Sequence, residues 1–331
     1  MAAAGHPAPF RLGAPAYLAG LGGWVAAAAW LLASAPELTG LATWARGPIA
    51  VAHARPAVGL AAANVVASFV LGAIAFADGG PDPLGIPSER LLLVHLSLAV
   101  VGWLTVMILA VGRTLVPMLA AAAAAPPRRL PLPELVLVAG LWAYAAGVTA
   151  SVDALVGLGI VVMAGALVAP ARLFLRSAFA GRIGAREGPA AHVVVGLAFV
   201  AEAVVVAVAS LAGAGSGRRA AVACVLLVAI GWATGVILGH LGKLVALSGW
   251  GSWPPDPRPK QADLYPRRGW QLEVVLFAVG VELAALGVLV DSAATTRAGG
   301  ALLLAAAAVA LGCGVESVRR VLVGRTRPVS A

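Results

Sequence analysis

Residues 91–119 read LLLVHLSLAVVGWLTVMILAVGRTLVPML, and Arg113 is their only charged side chain if His95 is neutral. About 20 predominantly apolar residues suffice for a helix to cross a bilayer, so this stretch predicts a transmembrane helix. The whole chain is similar, since 61% of its 331 residues are hydrophobic, 11% are charged and the mean hydropathy is +0.96. Soluble domains carry about 25% charged residues. We therefore exclude a water-soluble protein and expect one all-α transmembrane bundle over residues 1–331.

Breaks at proline, glycine and clustered charges divide the chain into nine candidate membrane spans. The alternating runs of about 10 residues that a transmembrane barrel needs are not seen in the sequence. A tight turn at 151–153 has to separate the fourth span from the fifth. The nine spans lie at about 14–35, 50–77, 91–119, 132–150, 154–176, 190–213, 219–248, 270–290 and 299–321.

The basic residues are unevenly divided between the two sides that nine spans define. Most of the 23 lysines and arginines fall on the side of the C-terminus. Cytoplasmic loops carry such an excess, so we expect the C-terminus in the cytoplasm and the N-terminus outside, in a multi-pass protein of a cell membrane such as the bacterial inner membrane. Residues 249–269 then form a cytoplasmic proline-rich connector. The net charge of +9 belongs to these loops, so the expected partner is the lipid bilayer and not nucleic acid.

Four histidines are candidate ligands, placed by their depth in the predicted spans. His95 lies near the outer edge of the third span, whereas His53, His192 and His240 lie near the inner edge. At 1.5 Å per residue His95 is roughly 20 Å from the others, so no single metal ion can be held by all four. His192 and His240 could share a site, with His53 as a third member. Metal or haem ligation, proton transfer and an interhelical hydrogen bond all remain open for each histidine.

Small and charged residues add candidates on the same helices. Gly102 follows His95 by about two turns and Arg113 by five, which places all three on one face of a regular helix. A glycine there would leave room for a flat macrocycle, or it would allow close helix packing. The spacing of Gly231, Gly235 and Gly239 favours helix packing over a cofactor groove, and Lys243 follows them.

Carboxylates inside the spans are costly and indicate function or a specific partner. Glu202 and Glu282 fall near the middle of the sixth and eighth spans. They predict either a proton or cation path or a protonated hydrogen bond between helices. Glu273 lies nearer an end, beside Arg267 and Arg268, and we expect it to reach the interface. Cys224 and Cys313 fall in apolar segments, which argues against a disulfide framework or a cysteine metal site.

Two segments resemble a known family. HLSLAVVGWLTVMILAVGRTLVPM, from His95 to Met118, resembles the helix of haem-copper oxidase subunit I that carries a low-spin haem histidine near the outer side. GWATGVILGHLGK, from Gly231 to Lys243, resembles a helix of small subunit-I-like membrane proteins. The resemblance implies a haem, most readily of b-type, with His95 as axial ligand and Gly102 beside it in the cofactor site. Depth makes His192 and His240 further cofactor-binding candidates, and His240 is also a candidate metal ligand.

Comparison with the same family also predicts which features of subunit I this chain lacks. Subunit I has twelve core helices and a paired His-His motif for copper, whereas this chain has about nine spans and no adjacent histidines. We therefore expect no complete copper site and no terminal oxidase activity.

The leading hypothesis is an oxidase-subunit-I-like haem protein in electron transfer, gas sensing or respiratory-complex assembly, with another membrane subunit or a redox protein as partner. Arg113 and Lys243 would be its charge partners on the inner side. The alternatives are a haem-free permease or channel that uses Glu202 and Glu282, and a structural subunit of a membrane complex. Similar intervals from His53 to His192 and from His95 to His240 also hint at a duplication, as in haem-A-synthase-like proteins.

Overall fold

The computed structural model describes residues 55–77, 86–122, 131–180, 187–251 and 261–326. Within these ranges all regular structure is helical. The membrane-spanning helices are α1 (Arg55–Ala77), α2 (Ser88–Ser97, Leu98–Thr105 and Val106–Ala120 in one continuous helix), α3 (Leu132–Ala150), α4 (Asp153–Ala180), α5 (Gly188–Leu211), α6 (Gly217–Val225, Leu226–Thr234 and Gly235–Gly251, also continuous), α7 (Arg267–Leu289) and α8 (Ala293–Thr326). A short 3₁₀ helix, Gln261–Leu264, precedes α7.

Eight of the nine predicted spans are confirmed as helices. All eight are long and apolar enough to cross a membrane, so the protein is a multi-pass membrane protein whose surroundings are a lipid bilayer. The remaining span, 14–35, lies outside the described residues, as do His53 and the middle of the 249–269 connector. The predicted tight turn is also confirmed, because Ser151 has a φ of 60° and the Val152 amide donates to the Gly147 carbonyl at 2.9 Å.

Successive helices run in alternating directions, which gives the bundle two ends. At one end Arg90, near the start of α2, donates to the Ser151 hydroxyl between α3 and α4. At the other end Lys243 of α6 donates to the Leu119 carbonyl at the end of α2. We call these the Arg90 end and the Lys243 end.

The eight helices form two four-helix units, α1–α4 and α5–α8, that are built alike. In both units the first helix packs on the second, the second packs on the third and fourth, and the third and fourth form a tight hairpin. The units meet where α4 packs on α5 and where the middle of α2 faces the middle of α6. Equivalent helices run in the same direction, so the units are parallel repeats.

The hairpin turns show the repeat at the level of single residues. Ser151 in the first unit and Asp291 in the second are non-glycine residues with φ values of 60° and 59°. Each accepts a hydrogen bond from an arginine of the second helix of its unit, Arg90 or Arg219. The same capping contact is therefore made twice at the Arg90 end.

Glycines hold the two hairpins together in the same way. A Cβ on Gly140 would lie 3.0 Å from the Gly159 carbonyl oxygen, and a Cβ on Gly280 would lie 3.1 Å from that of Gly299. These are backbone contacts, so no side-chain rotation could relieve them. Close helix approach at small residues is the usual source of packing energy in membranes.

A π-helical segment interrupts the second helix of each unit, at Leu98–Thr105 and Leu226–Thr234. Both carry the sequence GWxT, and both end at its threonine, whose hydroxyl donates to the carbonyl five residues earlier at 3.0 and 2.9 Å. This match fixes the register of the repeat and places Cys224, not His240, at the position equivalent to His95. The structure therefore contains an internal repeat, but in a register different from the one that the histidine intervals suggested.

The glycine contacts lead to a first prediction. Gly299→Ala should destabilise the protein by about 1–3 kcal/mol, because the new Cβ would meet the Ala284 backbone nitrogen and overpacking of this kind has that cost. Gly300→Ala is the matched control, since no atom lies within 4 Å of its Cβ position, and alanine favours the helix by up to about 1 kcal/mol. Thermal unfolding in detergent would measure both. Equal melting temperatures for the two variants would contradict the hairpin contact.

Candidate functional site

His95 is buried between α2 and α1. Its Nδ1 lies 2.7 Å from the Ser68 carbonyl oxygen, and the Ser68 hydroxyl donates to the His95 carbonyl at 3.0 Å. Gly72 makes room for the ring, because a Cβ there would lie 2.8 Å from it. A proton on Nδ1 directed at a carbonyl leaves Nε2 as the lone-pair nitrogen, the arrangement typical of histidine ligands of metals.

Gly102 lies on the same helix but faces other side chains. A Cβ at this position would come within 2.9 Å of the Asn64 and Leu141 side chains. The space beside it is therefore occupied by helix packing, one of the two interpretations that the sequence left open. Its expected part in accommodating a macrocycle stays a prediction.

Arg113 was predicted on the face of His95, and the structure places it elsewhere. It pairs with the fully buried Glu134 of α3 at 2.7 Å, whereas His95 contacts α1. The π-helical segment between them explains the difference, because each residue added by the wider turn rotates the remainder of the helix by roughly 100°. Nothing in the local sequence announces such a segment.

His192 and Glu273 form a fully buried pair at the Lys243 end. His192 Nε2 and Glu273 Oε2 are 2.6 Å apart, and both side chains have an exposure of 0%. The other two polar atoms of the pair, His192 Nδ1 and Glu273 Oε1, have no hydrogen-bond partner in the described part of the chain. The expectation that Glu273 reaches the interface is wrong, because a histidine on a neighbouring helix draws its carboxylate inward.

The glycine spacing on α6 makes the notch that receives this histidine. The Cβ positions of Gly235 and Gly239 lie 3.5 and 2.7 Å from His192 atoms, and Phe277 of α7 makes an edge contact with the ring at 5.3 Å. The helix-packing interpretation of the glycines therefore agrees with the structure.

His240 lies near His192, as the sequence predicted for two residues at the same depth. The two rings are close enough to interact electrostatically. His240 Nδ1 is 2.6 Å from the Val236 carbonyl oxygen, which again leaves Nε2 as the lone-pair nitrogen, while His192 Nε2 is committed to Glu273. Within the described residues no group of three histidine, cysteine or carboxylate side chains could hold a metal ion. A metal shared by His192 and His240 would need a further ligand.

Lys243 completes a polar cluster at its end of the bundle. Its Nζ bonds Glu187 at 2.8 Å and the Leu119 carbonyl at 2.9 Å, so it ties α6 to both units. Tyr265 lies close by, stacked on Trp270 with ring centroids 6.0 Å apart, and burial raises the pKa of its hydroxyl. We call His192, Glu273, His240, Lys243 and Glu187 the Lys243 cluster.

Glu202 and Glu282 are brought together by α5 and α7. Their carboxyl groups are close enough to interact and to share a hydrogen bond. Glu202 is half-buried, and Glu282 is exposed on the outer face of the bundle. A hydrogen bond between two carboxyl groups requires a proton on one of them. The pair lies about 10–14 Å along the helices from the Arg90 end, well apart from the Lys243 cluster.

No family model, curated protein or solved structure matches this chain.

Proposed function

We propose that the protein is a haem-binding membrane protein, similar to haem-copper oxidase subunit I but not a complete oxygen reductase, that acts in electron transfer, gas sensing or respiratory-complex assembly. In this proposal His95 is an axial ligand, the Lys243 end faces the cytoplasm, and the bilayer is the plasma membrane. A further ligand of the iron, where there is one, would come from another protein or from a group other than histidine.

The observation that carries the proposal is the orientation of the His95 ring. The Nδ1 contact with the Ser68 carbonyl fixes one tautomer, and Gly72 provides a close cradle for the ring. A ligating histidine usually has such a second partner, which orients the ring and makes the free nitrogen more basic. His95 Nε2 is thus suited to bind a haem iron, which when bound would supply one-electron redox chemistry or gas binding.

The protein's own residues would determine how such a group is held. Asn64, which also accepts from the Trp142 indole at 3.2 Å, fills the space beside Gly102, so a macrocycle would have to lie on another side of His95. His240 Nε2 is a second nitrogen with a lone pair that could bind a metal. Its position near the Lys243 end prevents it from binding the same iron as His95. His240 would then serve a separate group, as expected from the sequence.

A reduced-minus-oxidised absorption spectrum, with haem extraction from the detergent-purified protein, tests the proposal. We expect sharp b-type bands and about one haem per chain when the protein is expressed with added haem precursor. A featureless spectrum from folded protein would overturn it.

The Glu202–Glu282 contact favours a second candidate function, a haem-free permease or channel for protons or cations. A hydrogen-bonded carboxyl pair within the membrane can take up and release one proton or bind a cation, and such pairs are typical of ion pathways. The sequence placed both residues in the hydrocarbon, but their proximity is a result of the fold.

Proteoliposomes loaded with a pH-sensitive dye would test this second function. Glu202→Gln and Glu282→Gln should each remove most of the proton flux, because either change breaks the shared-proton arrangement. Glu89→Gln, an exposed carboxylate at the start of α2, is the matched control and should leave the flux unchanged. Wild-type flux in both pair variants would exclude the pathway.

A further inference from the structure

A cavity of about 320 Å³ lies between the two four-helix units, in the half of the bundle nearer the Arg90 end. Its wall is formed by α2, α3 and α4 of the first unit and by α5 and α6 of the second. Small-molecule sites typically have about 300–1,000 Å³. The cavity is independent of the sites described so far, because His95, the Lys243 cluster and the Glu202–Glu282 pair do not line it.

The cavity is elongated along the helices. Its wall extends from Leu93 to Thr105 on α2 and from Gly217 to Val228 on α6, which is about 16–18 Å at 1.5 Å per residue. One leaflet of the hydrocarbon core is about 15 Å thick, half of the roughly 30 Å of the whole core. The cavity is therefore as long as a lipid tail of one leaflet.

The wall is apolar, and its polar groups inside the membrane already have partners. Because the wall side chains already donate to groups within the bundle, a polar occupant would lose hydrogen bonds on entry that the wall replaces only in part, whereas a hydrocarbon would lose none. The internal bonds are those of Ser97 to the Leu93 carbonyl, Thr105 to the Val100 carbonyl and Cys224 to the Ala203 carbonyl, and the Tyr144 hydroxyl is a neighbour of Ser97.

The end of the cavity nearest the Arg90 end of the bundle is less apolar. Ser210, Leu211 and Gly217 line it at the Arg90 end, and Arg218, the next residue, is exposed there. A cation at the membrane surface beside an apolar tunnel matches a molecule with an anionic head and an apolar tail.

We propose that this cavity binds one acyl chain, with its head group at Arg218 and its tail between the two units. The chain comes either from a phospholipid of the leaflet at the Arg90 end or from a free fatty acid. Binding would join the units, because both contribute to the wall.

Photo-crosslinking of the full-length protein in liposomes tests the proposal. The probes are a palmitic acid with a diazirine near its methyl end and a phosphatidylglycerol, which has an anionic head, that carries the same acyl chain, each used with peptide mapping. We expect labels on wall residues such as Val204 and Ala207, and competition by unlabelled palmitate or phospholipid. Labels spread evenly over lipid-facing residues would overturn the proposal.

Variants that fill the cavity can be compared with matched variants on the exposed side of the same helix. Ala164→Phe should lower wall labelling about tenfold or more, whereas Ala169→Phe, on the exposed side of the same helix, should leave it unchanged. Ala207→Phe, with Ala201→Phe as its exposed control, repeats the test on α5 if the first variant does not fold. Unchanged wall labelling in a folded filling variant would overturn the proposal.

The two probes separate the two sources of the chain, and Arg218→Gln tests the head-group contact. If the ligand is a fatty acid, only the palmitic acid probe labels the wall, and if it is a phospholipid tail, only the phosphatidylglycerol probe does. In both cases Arg218→Gln should lower the labelling, because the head group is proposed to lie at Arg218. Either result supports acyl-chain binding, and failure of both probes to label the wall contradicts it.

Discussion

His95→Ala is expected to abolish the Soret band of the purified protein and to lower the haem-to-protein ratio by more than about tenfold. His95 is the one buried histidine near the Arg90 end among the described residues. Its Nδ1 is held by the Ser68 carbonyl, which leaves the lone pair of Nε2 for a metal. Loss of a partner that merely orients a ligand already costs about 10–100-fold in affinity, so loss of the ligand itself should cost at least as much. Absorption spectra and extracted haem, measured on the monodisperse fraction, give the result.

Cys224→Ala is the matched control for this change. Cys224 occupies the position equivalent to His95 in the second unit and makes the equivalent contact, from its thiol to the Ala203 carbonyl at 3.4 Å. It should retain the full haem content. A Soret band that survives unaltered in His95→Ala would show that another residue is the ligand and would send the search to His240.

The second large effect is expected at the buried pair of the Lys243 cluster. Glu273→Ala should lower the free energy of unfolding by about 3–5 kcal/mol, because removal of one member of a buried pair leaves the other without compensation. His192 would keep its place in the notch of Gly235 and Gly239 but lose its only described hydrogen-bond partner. Chemical or thermal unfolding in mixed micelles, followed by circular dichroism, measures the change.

Two further variants distinguish pairing from simple loss of volume. His192→Phe combined with Glu273→Leu should recover most of the stability, since apolar residues of similar size often replace a buried ion pair without cost. Glu316→Ala removes a carboxylate that pairs with Arg319 and Arg320 at the surface and should have little effect. If Glu273→Ala unfolds like the wild type, the pair has no structural role.

The membrane spans could be predicted because apolar length is a local property of the sequence. The turn at Ser151 was predictable for the same reason, since the chain has to reverse between two apolar runs. The π-helical segments were not, because GWxT differs little from the apolar residues around it. Their effect is not local, and the predicted face of Arg113 is wrong for this reason.

The sites divide in a similar way. The depth of each histidine follows from counting residues along a helix, and this correctly separated His95 from His192 and His240. Partners across helices depend on rotation and on which helices are neighbours, so the links from His192 to Glu273 and from Glu202 to Glu282 could not be derived. The equivalence of His95 and Cys224 rests on the register of the two GWxT segments, which is defined by their matching threonine hydrogen bonds and not by the histidines.

The parallel arrangement of the two units limits how the protein could move a solute. In many transporters two halves of inverted topology exchange conformations, and that exchange converts an outward-open state into an inward-open one. Here equivalent residues of α1–α4 and α5–α8 lie at the same depth, so exchanging the conformations of the units would leave both sides of the membrane as they were. The two units differ instead in the side chains at equivalent positions, such as His95 and Cys224.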